Sequence, residues 1–275
     1  MTILEWIGII ALAYLGICLI FYYTQELFLF HPEKLDLDFK YQFEYPHYEF
    51  FLDTEDDELI NGLHFQLPKS KGVVFYFKGN TRSIKGWGKY ARDFLSKGFD
   101  FFVIDYRGFG KSTGKRSERN IELDTQIAYK YLKKFYAESD IIIYGRSIGS
   151  GFAASLAASN HPKKLILDSP YYSMYHLIKM YLPFLPVASI LNYHIRTDQH
   201  IQNVKCPIFI IHGTDDKLIP YRHALKLSQL NKRSHLIRIK GGRHNNLPKH
   251  SAYHHTVYEI LNDSFEETSI FDELY

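Results

Sequence analysis

Three side chains that together could carry out nucleophilic acyl transfer stand far apart in the sequence: Ser147, Asp216 and His244. A serine hydroxyl is a weak nucleophile at neutral pH unless a histidine takes its proton and a carboxylate orients that histidine. The order serine, acid, histidine is the one in which such residues follow one another on a doubly wound α/β sheet. We therefore assign Ser147 as the candidate nucleophile, Asp216 as the acid and His244 as the base.

The surroundings of Ser147 favour this role. The apolar run Ile141–Tyr144 stops at the pentapeptide Gly-Arg-Ser-Ile-Gly (145–149), and a small-residue, helix-prone segment follows it. A serine that is raised above a sheet needs this strand–turn–helix context. The two glycines remove side chains that would collide with the tight turn. From the pentapeptide alone, a Gly-rich turn without catalytic function is the alternative.

The candidate acid and base each follow a predicted strand. Asp216 ends the sequence His-Gly-Thr-Asp-Asp after the strand Pro207–Ile211, and His244 ends Gly-Gly-Arg-His after the strand Leu236–Ile239. Loops at the carboxyl ends of parallel strands meet at one edge of a sheet. Both side chains are therefore expected at the edge where Ser147 lies.

Other acids and histidines could imitate these roles. Asp215 stands one position from the candidate acid, and Asp168 ends an earlier predicted strand, so both are alternative acids. Among the 14 histidines, three share a predicted helix with a metal-like spacing, namely His250, His254 and His255. No Glu or Cys supports a metal site there. We expect neither a metal ion nor an organic cofactor.

Backbone amides would have to stabilise the negative charge that develops on the substrate carbonyl oxygen. The N–H of Ile148, directly after the nucleophile, is one candidate donor of this oxyanion hole. The loop Lys-Gly-Asn-Thr-Arg-Ser (78–83) follows another predicted strand, and Gly79 permits a close approach of its backbone. We assign the second donor to the N–H of Asn80. Each donor is worth about 3 kcal/mol of barrier, and a simple strand-to-helix turn is the alternative for this loop.

Short apolar runs alternate with helical patterns after residue 47. Tyr48–Leu52 and Leu59–Gln66 predict an antiparallel opening pair. The other predicted strands are Val73–Phe77, Phe99–Asp105, Ile141–Tyr144, Lys164–Leu167, Pro207–His212 and Leu236–Ile239. The predicted helices are Ser83–Lys97, Glu118–Tyr136, Ser150–Asn160, Tyr221–Leu230 and Ser251–Leu261. This alternation predicts an α/β fold with a mostly parallel central sheet and helices on both faces.

One segment interrupts this alternation. Tyr171–Asp198 contains two prolines, several aromatic and aliphatic residues, and little charge before Arg196. As an insertion after a central strand it would form a substrate-binding cap over the carboxyl edge of the sheet. A pair of ordinary packing helices is the alternative.

The N-terminus is apolar enough to cross a membrane. The eighteen residues from Trp6 to Tyr23 carry no charge, which meets the minimum of about 17 residues for the hydrocarbon core. Aromatic residues stand at both ends of this run, as at membrane interfaces. A cleaved signal peptide competes, but no Lys or Arg precedes the run and no small-x-small cleavage site follows it. We predict a single-pass membrane anchor, and the flanking charges show no bias that would orient it.

Composition restricts the partners and the domain count. The 33 basic and 30 acidic residues leave a net charge of +3, and the basic residues form no stripe, so no nucleic acid partner is expected. A disulfide between Cys18 and Cys206 is implausible, because one lies in the apolar N-terminus and the other starts a predicted strand. The 275 residues suit one catalytic domain. We expect an anchor over 1–24, an aromatic connector over 25–47, a catalytic domain over 48–265 with its cap at about 171–198, and a tail over 266–275.

These motifs resemble those of the α/β-hydrolase superfamily, and within it the small membrane-anchored serine hydrolases with one N-terminal transmembrane helix. Beside the serine pentapeptide, the likeness includes Asp-Tyr-Arg-Gly-Phe-Gly-Lys-Ser (105–112) followed by Gly114. It also includes His-Gly-Thr-Asp-Asp-Lys-Leu-Ile-Pro (212–220), Gly-Gly-Arg-His-Asn (241–245) and the passage Asp168–Ser173 from strand to cap. The resemblance covers roughly residues 28–261.

The resemblance implies an α/β-hydrolase fold and hydrolysis of small-molecule or lipid-like acyl esters or thioesters at a membrane. The chain departs from the family where Lys78 stands in place of the usual histidine before Gly79 and Asn80. Arg107, within the second motif, is interpreted as structural. An aminopeptidase-like peptidase on the same fold and a non-catalytic membrane scaffold are the alternative functions.

Overall fold

A computed structural model of the protein describes residues 1–266. The predicted tail over 266–275 therefore lies outside the described residues, except for its first residue. Eight strands form one sheet in the order β1-β2-β4-β3-β5-β6-β7-β8. β1 pairs antiparallel with β2, and β2 pairs antiparallel with β4. All other neighbours run parallel, which confirms the mostly parallel sheet. The strands are β1 (His47–Asp53), β2 (Leu59–Phe65), β3 (Val73–Phe77), β4 (Asp100–Ile104), β5 (Ile141–Arg146), β6 (Lys164–Asp168), β7 (Ile208–Gly213) and β8 (Ser234–Ile239).

The central strands are buried along their whole length, because helices cover both faces of the sheet. Every residue of β3 to β7 is buried. Side chains of a strand alternate between the two faces, and Val73 and Phe75 accordingly belong to one apolar cluster while Val74 and Tyr76 belong to the other. This explains the nearly continuous apolar and aromatic composition of these strands.

Ten α-helices lie in the described residues, together with short 3₁₀ turns. They are α1 (Ile3–Leu29), α2 (Ile84–Trp87), α3 (Ala91–Leu95), α4 (Glu118–Leu132), α5 (Gly149–Ala158), α6 (Met174–Tyr181), α7 (Val187–Ile190), α8 (Thr197–Asn203), α9 (Arg222–Ser228) and α10 (Ser251–Leu261). The single helix predicted over Ser83–Lys97 is wrong, since α2 and α3 are separated there by a 3₁₀ turn over Gly88–Tyr90. Gly86 and Gly88 weaken the helix, and the ring of Phe43 occupies the space beside Gly88.

The segment predicted as a cap, 171–198, contains α6 and α7. Both helices lie beside the carboxyl edge of the sheet, and the Tyr181 hydroxyl donates to the carbonyl oxygens of Lys217 and Leu218 at 3.0 and 2.7 Å. α8 begins where this segment ends and packs against α5.

α1 is long and apolar enough to cross a membrane by length and composition, and no other helix of the described residues is. Only 6% of its most apolar window is buried. Its buried residues lie on one face, at Cys18, Phe21, Gln25 and Leu29, and this face contacts the domain. The chain after α1 also lies against the domain, because Phe30 is buried there. The cysteines at positions 18 and 206 are both free.

Arg107 ties the loop after β4 to neighbouring elements. Its guanidinium donates from Nε and Nη2 to the two carboxylate oxygens of Asp124, both at 2.9 Å. It also donates to the carboxylate of Asp56 in the turn between β1 and β2. Burial raises the pKa of Asp124, and Arg107 opposes that shift. Both partners of the Arg107–Asp124 pair are almost fully buried, at 3% and 2% exposed, which fits a structural role.

We expect Arg107→Met to lower the free energy of unfolding by about 3–5 kcal/mol, because it leaves the buried carboxylate of Asp124 without its cation. Thermal unfolding of the full-length protein in detergent, followed by circular dichroism, measures the effect. Asp56→Asn is the matched control, since Asp56 is 56% exposed and water can replace its partner. A midpoint for Arg107→Met equal to that of Asp56→Asn would contradict the structural role.

Candidate active site

Ser147 occupies a strained turn between β5 and α5. Its φ of +53° lies in the left-handed region that residues other than glycine rarely adopt. A Cβ at Gly145 would lie 2.5 Å from the Cβ of Ala153, and one at Gly149 would clash with the carbonyl oxygen of Phe77. The turn therefore needs glycine at both positions, for the steric reason that the sequence suggested.

The structure brings the three predicted side chains into one hydrogen-bonded row. His244 Nε2 lies 3.0 Å from Ser147 Oγ, and His244 Nδ1 lies 2.8 Å from Asp216 Oδ2. A carboxylate can only accept, so Nδ1 carries the proton and Nε2 is the acceptor that faces the serine hydroxyl. This is the arrangement in which a histidine can take the serine proton.

Backbone amides and two histidines hold the carboxylate of Asp216. Its Oδ1 accepts from the N–H groups of Leu218 and Ile219 at 2.9 and 2.8 Å, and its side chain is fully buried. Burial raises the pKa of Asp216, but hydrogen bonds from His212, His244 and the Ile219 amide outweigh it and hold the pKa well below its usual range. The group is therefore ionised at neutral pH.

His212 is a neighbour of this carboxylate that the sequence analysis missed. Its Nε2 donates to the carbonyl oxygen of Ile219 at 2.7 Å and lies 3.5 Å from Asp216 Oδ2. The ring is fully buried near the end of β7. A histidine within an otherwise apolar buried strand, four residues before the acid, was the signal available in the sequence.

The alternative acids do not reach the candidate base. Asp215 is exposed, and its carboxylate accepts from the Thr214 hydroxyl at 3.0 Å. Asp168 is buried below the site, where it accepts from the Tyr144 hydroxyl at 3.0 Å. Neither carboxylate contacts His244, so the geometry selects the carboxylate at position 216.

The histidines of α10 point to different partners. His254 Nε2 lies 2.7 Å from the carbonyl oxygen of Pro248, whereas His255 Nε2 lies 3.2 Å from Glu259. Within residues 1–266 no group of three or more His, Cys, Asp or Glu side chains is arranged to hold a metal ion.

The two amides predicted to form the oxyanion hole are unoccupied donors beside the nucleophile. Neither the N–H of Ile148 nor that of Asn80 donates a hydrogen bond within the described part of the chain. The loop of Asn80 approaches the serine closely, since a Cβ at Gly79 would lie 4.0 Å from the Cβ of Ser147. The carbonyl of Asn80 is held from behind by the N–H of His31 at 2.8 Å.

Lys78 lies behind the oxyanion loop and does not face the site. Its side chain is fully buried, with Nζ 3.4 Å from Asp105 Oδ1 and 3.6 Å from the centre of the Phe109 ring. Burial lowers the pKa of Lys78 and raises that of Asp105, and their mutual attraction opposes both shifts. Both oxygens of Asp105 also accept from the N–H of Ile84 at 3.0 Å. The pair thus connects the oxyanion loop to the loop after β4 and to the start of α2.

Arg146, the residue before the nucleophile, is a second contact that the sequence analysis missed. It is buried, and its Nη2 donates to the carbonyl oxygen of His244 at 3.4 Å. Its guanidinium lies over the rings of Tyr90 and Trp87, at 5.4 and 5.8 Å. The side chain therefore supports the histidine loop from below. The pentapeptide leaves this position variable, so the motif gave no signal for it.

An open cleft lies beside His244, between the loops that follow β7 and β8. Three cations line it, Lys217, Arg243 and Lys249, together with the apolar Leu218 and one acid, Asp215. None of the three cationic side chains forms an ion pair with a described residue. The cleft therefore carries a net positive charge next to the candidate base.

Comparison with known proteins agrees with this fold. The model of a family described as serine aminopeptidase, S33, matches residues 68–195, which include the candidate oxyanion loop and Ser147 but end before Asp216 and His244. The solved structure of the esterase Pf2001 from Pyrococcus furiosus superposes with a TM-score of 0.68, covering 86% of this chain and 97% of that one at 19% identity. The chain has the α/β-hydrolase fold. The fold predicted from the sequence is thereby confirmed.

Two curated relatives of this chain have informative names. The lysophosphatidylserine lipase ABHD12 of Danio rerio is 29% identical over 181 residues, 58% of this chain and 47% of that protein. The protein bem46 of Schizosaccharomyces pombe is 29% identical over 238 residues, 80% of this chain and 79% of that protein. The chain thus spans about half the length of the named lipase and most of the length of bem46.

We expect Lys78→Met to destabilise the protein by about 3–5 kcal/mol, because it leaves the buried Asp105 carboxylate without its cation. Adding Asp105→Asn should recover more than half of that loss, since no buried charge then remains. Thermal unfolding of Lys78→Met, of Asp105→Asn and of the double variant in detergent measures the coupling between the two side chains. Additive effects of the two substitutions would show that the ion pair does not support the loop.

Proposed function

We propose that the protein is a membrane-anchored serine hydrolase that cleaves ester or thioester bonds of lipid-like acyl substrates. The observation that carries this proposal is the continuous row from Ser147 Oγ through the His244 ring to Asp216, at 3.0 and 2.8 Å. A row of this kind turns a hydroxyl into a nucleophile without a metal ion or an organic cofactor.

The first half of the proposed reaction forms an acyl-enzyme. Ser147 Oγ attacks the acyl carbonyl carbon while His244 Nε2 takes the hydroxyl proton. The ionised Asp216 stabilises the imidazolium that forms. The N–H groups of Ile148 and Asn80 donate to the oxyanion, and both are free to do so. The alcohol or thiol then leaves with the proton from the imidazolium.

The second half of the reaction releases the acid. Water takes the place of the leaving group, His244 removes its proton, and the resulting hydroxide attacks the acyl-serine carbonyl. The same two amides stabilise the second tetrahedral intermediate. The intermediate collapses by breaking its bond to Ser147 Oγ, which takes the proton back from His244, and the free acid leaves.

The proposed substrate class is supported by what surrounds the row. The cleft beside His244 combines an apolar residue with three cations, which suits a molecule with an acyl chain and an anionic head. A lysophosphatidylserine lipase is among the relatives. The proposed anchor is α1, whose apolar surface would hold the domain at a membrane where such molecules reside.

The alternative functions have less support. An aminopeptidase is suggested by the name of the matching family, but it would need acidic groups to bind a free amino terminus, and the cleft has one acid among three cations. A non-catalytic scaffold gives no reason for a hydroxyl, an imidazole and a buried carboxylate to stand in hydrogen-bonding register.

We expect Ser147→Ala to abolish covalent labelling by a fluorophosphonate probe, because the probe reacts only with an activated serine. Hydrolysis of p-nitrophenyl esters should disappear with the labelling. The thermal unfolding midpoint should not fall below that of the parent, because the substitution removes only a hydroxyl and leaves the backbone turn as it is. Undiminished labelling would remove Ser147 from its role. Faster turnover of aminoacyl p-nitroanilides than of esters by the parent would favour the peptidase instead.

We expect Asp216→Asn to lower kcat by roughly 10³–10⁴-fold, because the amide N–H donates a hydrogen bond to Nδ1, and the histidine then carries its proton on Nε2, where it cannot accept the serine proton. Steady-state hydrolysis of a p-nitrophenyl ester gives kcat and KM separately, and KM should change little. Asp215→Asn is the neighbouring control and should lose far less activity. Equal losses in the two variants would mean that the carboxylate at position 216 does not orient the base.

A further inference from the structure

The cap and α1 lie side by side over a considerable length. The Tyr14 hydroxyl donates to the carbonyl oxygen of Phe184 at 2.8 Å. Further along α1, Gln25 Nε2 donates to the carbonyl oxygen of Ile190 at 3.0 Å, and Gln25 Oε1 accepts from the N–H of Asn192 at 2.7 Å. The cap segment that precedes Asn192 therefore extends along the helix, away from the body of the domain.

The positions of these contacts along α1 give the reach of the cap. An α-helix rises about 1.5 Å per residue, so Tyr14 lies about 16 Å beyond Gln25 along the axis. It also stands near the middle of the uncharged run Trp6–Tyr23. If that run fills a hydrocarbon core of about 30 Å, Tyr14 and the backbone of Phe184 lie deep within it.

The chemistry of the cap suits such a depth. The segment 182–191, Leu-Pro-Phe-Leu-Pro-Val-Ala-Ser-Ile-Leu, carries no charge. Phe184 at its tip is 59% exposed, so most of its ring is available to an apolar environment. Its neighbour Lys179 donates from Nζ to the carbonyl oxygens of Pro183 and Leu185, at 2.6 and 3.1 Å.

Backbone groups within hydrocarbon need internal partners, and several groups of the segment have them. The N–H groups of Leu185, Ser189 and Leu191 all donate to carbonyl oxygens inside the segment. The bonds from Lys179, Tyr14 and Gln25 satisfy further carbonyl groups. The exposed surface of the segment is therefore mainly hydrocarbon.

We propose that residues 182–191 are inserted into one leaflet of the bilayer beside α1, so that the active site receives its acyl substrate from the lipid phase. This inference rests on the proposed anchoring of α1. The inserted segment follows directly after Tyr181, whose hydroxyl holds the carbonyls of Lys217 and Leu218. Leu218 in turn donates its N–H to Asp216. A lipid that moves along the segment thus reaches the loop of the catalytic acid without crossing water.

The cations at the cleft, which form no ion pair with residues 1–266, support a lipid leaflet as the partner of this surface. Lys217 stands next to Leu218, and with Arg243 and Lys249 it lines the cleft beside His244. Basic side chains that flank an inserted apolar surface are attracted to the phosphate layer of a membrane. The apolar segment 182–191, Tyr181 and the cationic cleft thus follow one another in the order of the layers of a leaflet.

A fluorescent probe at the tip tests the insertion. In the full-length chain, Trp6→Phe and Trp87→Phe remove the two tryptophans, and Phe184→Trp places a single indole in the segment. Phe135→Trp is the matched control, because Phe135 is similarly exposed, at 57%, and lies shortly before β5, at the opposite edge of the sheet. Both proteins are reconstituted into phosphatidylcholine vesicles with and without bromine on the acyl chains.

Bromine quenches indole only at short range, so the emission of Phe184→Trp should fall about twofold in brominated vesicles while the control is unchanged, given a core about 30 Å thick. If bromination lowers the emission of both probes by the same fraction, in protein that resists alkaline carbonate extraction, the insertion is overturned and the anchor remains in place. Loss of the protein on extraction would overturn both. Fluorophosphonate labelling of the same samples reports the triad independently of either result.

A second measurement does not depend on a probe. Phe184→Ser should lower the hydrolysis of a lipid ester presented in vesicles several-fold more than that of a soluble short-chain ester, because only the first substrate has to enter from the leaflet. Phe135→Ser should leave the ratio of the two rates as in the parent. An unchanged ratio in Phe184→Ser would contradict entry beside the segment.

Discussion

The hydrogen bonds to the carboxylate of Asp216 are the constraint on which the site depends. A buried carboxylate is costly unless its charge is satisfied, and here the amides of Leu218 and Ile219 satisfy one oxygen while histidines satisfy the other. Because the two amides come from the loop after β7 and His212 from the end of β7, the charge is held by these groups independently of His244. The fixed charge then determines which nitrogen of His244 carries the proton, and so which nitrogen faces Ser147.

The strained backbone of Ser147 has the complementary role. A left-handed φ at a serine is unfavourable by itself, and it persists because β5 and α5 are buried on all sides and leave the turn no other path. The loop of Lys78 is supported in a similar way, by a cation that never meets the substrate. The buried sheet thus stabilises three loops, those after β3, β5 and β7, in conformations that none of them would keep alone.

Much of this arrangement could be predicted because it depends on local sequence. Strand β3 and helix α10 were predicted with their observed ends, since their composition and length follow their burial. The order and spacing of the serine, acid and histidine motifs sufficed to select the residues that the structure brings together. His212 stands out as a histidine in an apolar strand, but its contacts with Ile219 and Asp216 form only where the loop after β7 folds back on that strand. In contrast, Arg146 contacts the site through long-range packing, and nothing in its immediate neighbours indicates that contact. The 3₁₀ turn between α2 and α3 begins at Gly88, against the ring of Phe43 some forty residues earlier, and hydrophobic periodicity does not indicate that contact.

The chain immediately after α1 also supports the candidate site mechanically. The N–H of His31 donates to the carbonyl of Asn80, and the N–H of Arg82 donates to the carbonyl of His31. A displacement of α1 relative to the domain would therefore be transmitted to the loop of Asn80. A version of the chain without α1 would need to keep the stretch from Phe30 onward, or this loop would lose both hydrogen bonds.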